Sequence, residues 1–129
     1  MIETRSLTVA EIEDLAFRAL VAAGTSERNA RPLAMATAAT EADGVASHGL
    51  AYIPIYCEHV QCGKVDGQAT PILSTPRPGL VNVDAATGFA HSAIENGLVP
   101  TTGAYPPDGA IEAGALVKPM PTRPDWANL

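Results

Sequence analysis

Glu41-Ala42-Asp43-Gly44-Val45-Ala46-Ser47-His48-Gly49-Leu50, continuing through Ala51-Tyr52-Ile53-Pro54-Ile55-Tyr56, is the most informative stretch of this chain. Gly44 and Gly49 each let the backbone turn sharply. Ser47 is expected to cap a third helix, which places Ser47 and His48 at a helix N-terminus. Free N–H groups and the helix dipole favour a carboxylate or a phosphate there. An imidazole can bind an anion or exchange a proton, which makes His48 a candidate for either role. Tyr56 lies eight residues beyond His48, about two helical turns further on and broadly on the same side. These residues describe a corner for a small anion. The alternative open at this point is a capping serine beside a solvated histidine.

Upstream of this stretch the pattern is helical. Thr8 and Glu11 have the spacing of a capping box, so a helix is expected over residues 9–23. Its apolar stripe is Ile12, Leu15, Ala16, Ala19, Leu20 and Ala23, and Gly24 stops it. Thr25 or Ser26 then caps a second helix over residues 25–42, with Ala30, Leu33, Ala34 and Ala38 facing inward. Thr37 shares that stripe and packs there if its hydroxyl bonds back to the preceding turn. Pro32 predicts a kink or a later start. Gly44 ends this helix, and the pair reads as an αα-hairpin.

Downstream, Leu50, Ile53, Tyr56, Cys57 and Val60 give the third helix an apolar face that ends at Gly63, with Pro54 interrupting the pattern. Residues 64–79 read as a loop with a short edge strand at Ile72-Leu73. Leu80-Val81-Asn82-Val83-Asp84 alternates apolar and polar, the clearest strand in the chain. Thr87-Gly88 is a turn, and residues 89–96 begin another helix. Beyond Gly97 the character changes: six of the eleven prolines fall between Pro100 and Leu129. Only residues 110–117 suit a short helix there, and the rest reads as irregular. The expectation is a helix-rich α/β fold with one clear strand, divided into residues 1–98 and a proline-rich segment, 99–129.

Composition narrows the function. Aromatic residues make up only 5% of the chain, so the core must be built from Ala, Leu, Ile and Val. The net charge of −6 argues against nucleic acid and against an anionic membrane surface as partners. No apolar run approaches the roughly 18 residues of a membrane span. The polar start Met1-Ile2-Glu3-Thr4-Arg5 does not read as a secretory leader, and Cys57 and Cys62 are too few for a disulfide framework, which together predict the cytoplasm. Cys57-x-His59-x-x-Cys62, with His91 as a fourth group, contains zinc-ligand types. On a helix the two thiols stand about 140° apart, so no metal site is expected. His59 reads as solvated and His91 as a cap or surface residue. Residues 109–114 have the glycine spacing of a phosphate loop but lack its Lys and Ser/Thr. Trp126 stands alone in the proline-rich end, as a docking anchor or an exposed side chain.

The run from Ala42 to Tyr56 resembles the acidic-Gly-x-x-Ser-His-Gly-Leu signature of the malate/L-lactate dehydrogenase-like oxidoreductases. The flanks agree: Ala-Ala-Gly-Thr-Ser before it, then Cys62-Gly63-Lys64-Val65 and Val81-Asn82-Val83-Asp84-Ala85-Ala86-Thr87-Gly88-Phe89-Ala90 after it. The resemblance covers roughly residues 6–98. It implies a non-Rossmann, mixed-sheet dehydrogenase fold, so no G-x-G-x-x-G is expected. It also implies hydride transfer between NADH or NADPH and a small 2-oxo acid, 2-hydroxy acid or cyclic imino acid, in a homodimer. By resemblance His48 is the catalytic candidate, with Ser47, Tyr52 and Tyr56 in the substrate and cofactor cleft. Tyr52 stands where many members carry Arg, which puts the carboxylate contact in question, since Arg binds a carboxylate through two donors and Tyr through one.

After Gly97 the resemblance jumps. Pro100-Thr101-Thr102 and the residues up to Met120 faintly resemble a much later family segment, as if the middle region were missing. The chain is therefore expected to be incomplete, inactive on its own and at best a weak binder of NAD(P)H. The rival reading is a non-catalytic helical interaction or dimerisation module derived from that family.

Overall fold

The structure, a computed structural model, describes residues 2–102. The expectations for residues 109–114 and 110–117 and for Trp126 lie outside that range. Helix α1 (Val9–Ala22) opens on the capping box read from the sequence. The Glu11 N–H donates to Thr8 Oγ1 at 3.2 Å, and the Thr8 N–H donates to the Glu11 carboxylate at 2.7 Å. The Thr8 N–H and the Thr8 hydroxyl both donate to the Glu11 carboxylate and hold it below its usual value. Ala16 and Leu20 are buried, but Leu15, expected on the inner stripe, is 42% exposed. It lies beside Leu7 in an open groove instead.

Helix α2 (Glu27–Ala42) is capped by Ser26, whose Oγ accepts from the Asn29 N–H at 3.3 Å. Thr25 is buried in the link from α1 and caps nothing. Pro32 neither delays the helix nor ends it. Its missing N–H forgoes a single bond, to the Arg28 carbonyl in the first turn. Thr37 packs inward, its hydroxyl donating to the Leu33 carbonyl at 2.9 Å. Leu20, Ala16, Ala30, Leu33 and Ala34 form the core with Ile53 and Phe89. The two helices pack as the expected hairpin.

The third α-helix, α3 (Ile53–Gln61), starts later than expected. Two short 3-10 turns precede it, at Ala46–His48 and Leu50–Tyr52. Pro54 explains the late start, since it sits in the first turn of α3, where a missing N–H costs nothing.

The loop after α3 leads to a two-stranded antiparallel sheet, β1 (Ile72–Arg77) and β2 (Leu80–Asp84). The sequence reading gave one clear strand and a two-residue edge. The structure makes β1 a full strand paired Ile72↔Asp84, Leu73↔Val83 and Ser74↔Asn82. The register slips between Ser74 and Arg77, where Pro76 has no N–H to offer the ladder. Helix α4 (Ala90–Thr102) then packs on β2 and α2. It passes Gly97, where the sequence change suggested a boundary. Gly97 serves close approach instead, because a Cβ there would stand 3.0 Å from Val83 Cγ2. No helix among the described residues is long and apolar enough to cross a membrane.

Leu33 is 2% exposed at the centre of this packing. Leu33→Asp is expected to destabilise the fold by more than about 2 kcal/mol, because it buries an unpaired charge. Urea denaturation followed by far-UV circular dichroism measures it; a smaller loss would mean that Leu33 does not sit in the core.

Candidate functional site

Ser47 and His48 lie in the first 3-10 turn, and both are exposed. Neither stands at an α-helix N-terminus, and Ser47 makes no capping bond. The helix-dipole contribution expected for an anion there is therefore absent, and any anion affinity rests on the side chains. Ser47 Oγ lies 2.9 Å from His48 Nδ1. With the hydroxyl donating to Nδ1, the neutral imidazole carries its proton on Nε2, ready to donate outward.

Tyr56 does not share a helix with His48, as the sequence spacing implied, but a chain of ring contacts joins the two. His48 stacks on Tyr52 with centroids 5.8 Å apart and planes 7° from parallel. Tyr52 meets Tyr56 edge-on at 4.9 Å, and Tyr56 meets Phe89 edge-on at 5.6 Å. Such geometries satisfy the ring quadrupoles. The series runs from exposed His48 through half-buried Tyr52 and Tyr56 to buried Phe89. Burial, followed by the neighbouring Tyr52, pushes the Tyr56 phenol above its ordinary value, so it is a neutral hydrogen-bonding group at neutral pH. The sequence named three of these residues. It placed Phe89, 33 positions beyond Tyr56, at the start of the next helix and did not bring it to this site.

The turn is held from beneath. Glu41, in the last turn of α2, accepts the Leu50 N–H through Oε1 at 2.7 Å. Sequence reasoning gave Glu41 no role. The available signal was a carboxylate at the negative end of a helix, where the dipole disfavours it.

The zinc-like set does not assemble. The Cys57 thiol donates to the Ala19 carbonyl at 3.6 Å, and Cys62 to the His59 carbonyl at 3.6 Å. His59 Nε2 lies 3.4 Å from Lys64 Nζ. Among the described residues no three His, Cys, Asp or Glu side chains gather as metal ligands. His91 is half-buried in the first turn of α4 rather than fully at the surface, and its Nδ1 is buried with no partner among the described residues. An open groove of about 430 Å³ runs between Arg5, Leu7 and the α1 residues Ala10, Glu11, Asp14, Leu15 and Arg18, and none of the four site residues lines it.

The fold of the described residues is that of the corresponding part of solved reductases and dehydrogenases. The δ1-piperideine-2-carboxylate reductase of Pseudomonas syringae pv. tomato superposes with a TM-score of 0.75 at 33% identity, covering 79% of this chain and 31% of that one. Residues 7–100 match the malate/L-lactate dehydrogenase family, and the chain belongs to it. It is 39% identical over 98 residues to a Δ1-pyrroline-2-carboxylate reductase of Ancylobacter novellus, covering 76% of this chain and 29% of the relative. It is 48% identical over 71 residues to the Δ1-pyrroline-2-carboxylate/Δ1-piperideine-2-carboxylate reductase of Pseudomonas putida, covering 55% and 21%. The chain thus spans less than a third of the length of these relatives, all of them enzymes by their descriptions.

Burial holds the His91 imidazole below its ordinary 6.5. The folded state therefore binds this proton less readily than the unfolded chain. The contribution of neutral His91 is fully present above 6.5 and is lost as pH falls through the folded value. His91→Gln is expected to lose less stability than the unmodified chain between about pH 7.5 and about pH 5.5. Denaturation midpoints at both pH values measure the difference, and equal losses would show that the ring titrates as in solvent.

Proposed function

We propose that this chain supplies part of the substrate cleft of an NAD(P)H-dependent reductase acting on small cyclic imino acids or 2-oxo acids. The observation that carries this reading is the Ser47–His48 pair, exposed on its turn and stacked on Tyr52, within a segment that matches such reductases. His48 donates a proton from Nε2 to the imine nitrogen or carbonyl oxygen, or holds the substrate carboxylate. Ser47 selects the tautomer that makes this possible. Tyr52 offers one hydroxyl to the carboxylate and a flat face to a planar ring. Tyr56, kept neutral by burial, backs Tyr52.

A bound dihydronicotinamide supplies the hydride in this chemistry. The stacked His48–Tyr52 face fits a planar ring, so these residues suit the reacting end of such a cofactor. A dinucleotide needs cover along most of its length, and these four residues provide none for its remainder. In this reading residues 1–98 act as the helical and strand portion of the dehydrogenase fold, with 99–129 appended, and the free thiols suit the reducing cytoplasm.

A homodimer belongs to the same reading. Leu15, Met35 and Ile94, on α1, α2 and α4, are 42%, 51% and 59% exposed and offer apolar side chains to a second copy. Sedimentation of the purified chain is expected to show concentration-dependent association, and a strictly monomeric chain would remove the dimer from the proposal.

The function is tested by grafting residues 7–100 onto the remaining length of the P. putida reductase and following NAD(P)H-dependent reduction of Δ1-pyrroline-2-carboxylate. In that chimera His48→Ala is expected to cut kcat by something on the order of 10², and unchanged turnover would take His48 out of the site. Tyr52→Arg is expected to lower KM for simple 2-oxo acids, since a bidentate donor replaces a single one. An unchanged KM would mean that another group binds the carboxylate.

A further inference from the structure

Glu41 sits where a carboxylate is least welcome. It is next to last in α2, at the negative end of the helix, and no basic residue in that turn compensates. Its side chain reaches across the loop to the Leu50 N–H, nine positions away, at 2.7 Å. A carboxylate receiving an N–H makes one of the stronger kinds of hydrogen bond. By contrast, the bonds inside the Ser-His turn are long: the His48 N–H reaches the Val45 carbonyl at 3.3 Å, and the Gly49 N–H reaches that of Ala46 at 3.4 Å. The turn is therefore weakly held by itself and firmly held at its far end.

Gly49 shows how close this support comes. Its neighbour His48 is exposed while Gly49 is buried. A Cβ at Gly49 would collide with the Glu41 carboxylate. The carboxylate thus fills the space directly under the residue that follows His48. At the near end of the loop, the Gly44 N–H donates to the Glu41 carbonyl and the Val45 N–H to the Thr40 carbonyl, both at 3.0 Å. Glu41 therefore anchors the loop at both ends, by its main chain and by its side chain.

We infer that Glu41 is a positioning residue for His48: its carboxylate, seated against Gly49 and bonded to the Leu50 N–H, fixes the turn so that the imidazole lies on Tyr52 with Nδ1 at Ser47. The role in turnover rests on the function proposed above; the geometric claim stands apart from it. Glu41 acts through the turn and touches no reacting atom.

NMR on the full chain tests the geometry. In Glu41→Ala the Leu50 amide is expected to exchange with solvent roughly tenfold faster or more. The His48 ring protons should lose the shift imposed by the Tyr52 ring, while the methyl signals of Leu20 and Leu33 stay in place. Glu41→Gln keeps an acceptor oxygen and is expected to restore the His48 shifts. Gly49→Ala, which displaces the carboxylate without removing it, should reproduce the alanine result and decides the matter if Glu41→Ala does not fold. Wild-type His48 and Leu50 signals in Glu41→Ala or in Gly49→Ala would overturn the inference, as would equal loss in the glutamine and alanine variants.

The reductase chimera separates the two claims. There Glu41→Ala should lower kcat more than it raises KM, with recovery in Glu41→Gln. If His48→Ala left turnover unchanged while the NMR changes held, the functional reading would fall and the positioning of His48 would stand. Normal turnover in Glu41→Ala, with His48→Ala inactive, would overturn the positioning role alone.

Discussion

The side-chain amide of Asn29 gives both its hydrogens to main-chain carbonyls, that of Gly67 at 2.9 Å and that of Ala69 at 2.8 Å. The residue is 1% exposed, so no solvent stands in for either bond. Each buried carbonyl left unpaired would cost about 1–3 kcal/mol. These two bonds tie the segment after α3 to the start of α2. The Ser26 N–H reinforces them by donating to the same Gly67 carbonyl at 2.9 Å. From there the Asp66 N–H reaches the Thr87 carbonyl at 3.0 Å, which fixes the turn that delivers Phe89 to the core. The Asn29 amide is the buried part of a wider seam between the helical half and the strand half, to which Gln68 Nε2 adds a bond to the Gly24 carbonyl at 2.9 Å.

That junction matters because the core contains little that is large. Alanine fills much of it, with Leu20 and Leu33 the largest fully buried apolar side chains. A thin core lets helices approach closely but supplies few anchors for a loop at its edge. The aromatic residues are placed where that deficit falls. Tyr52, Tyr56 and Phe89 extend the core outward as a line of rings, and the Ser-His turn rests at its end. Glu41 meets the same turn from the other side with a hydrogen bond.

Local chemistry made much of this legible in the sequence. Thr8 and Glu11 announced the start of α1, and the inward hydroxyl of Thr37 followed from its place on the α2 stripe. The alternation from Leu80 to Asp84 marked β2. What escaped was set by distant partners or by competing local signals. Nothing near Asn29 indicates carbonyls 38 and 40 positions away. Pro76 hid β1, because proline argues against a strand unless a register irregularity absorbs it. The proline-rich composition beyond Gly97 suggested a boundary there, whereas α4 continues past it and Gly97 lets the helix approach Val83. At the site, Ser47, His48, Tyr52 and Tyr56 were singled out by residue type and resemblance. The stacking that relates them was hidden because a continuous helix had been expected where Gly49 and Pro54 impose two turns and a late start.

The line of rings from Phe89 to His48 also bears on how such a protein changes over generations. A substitution at Tyr52 that suits a new substrate alters the support of Tyr56, and through it the seat of a buried core residue. Under the proposed function, selectivity and foldedness draw on the same side chains here. In that reading, variants that broaden what the rim accepts should accumulate second changes at the inner end of the line.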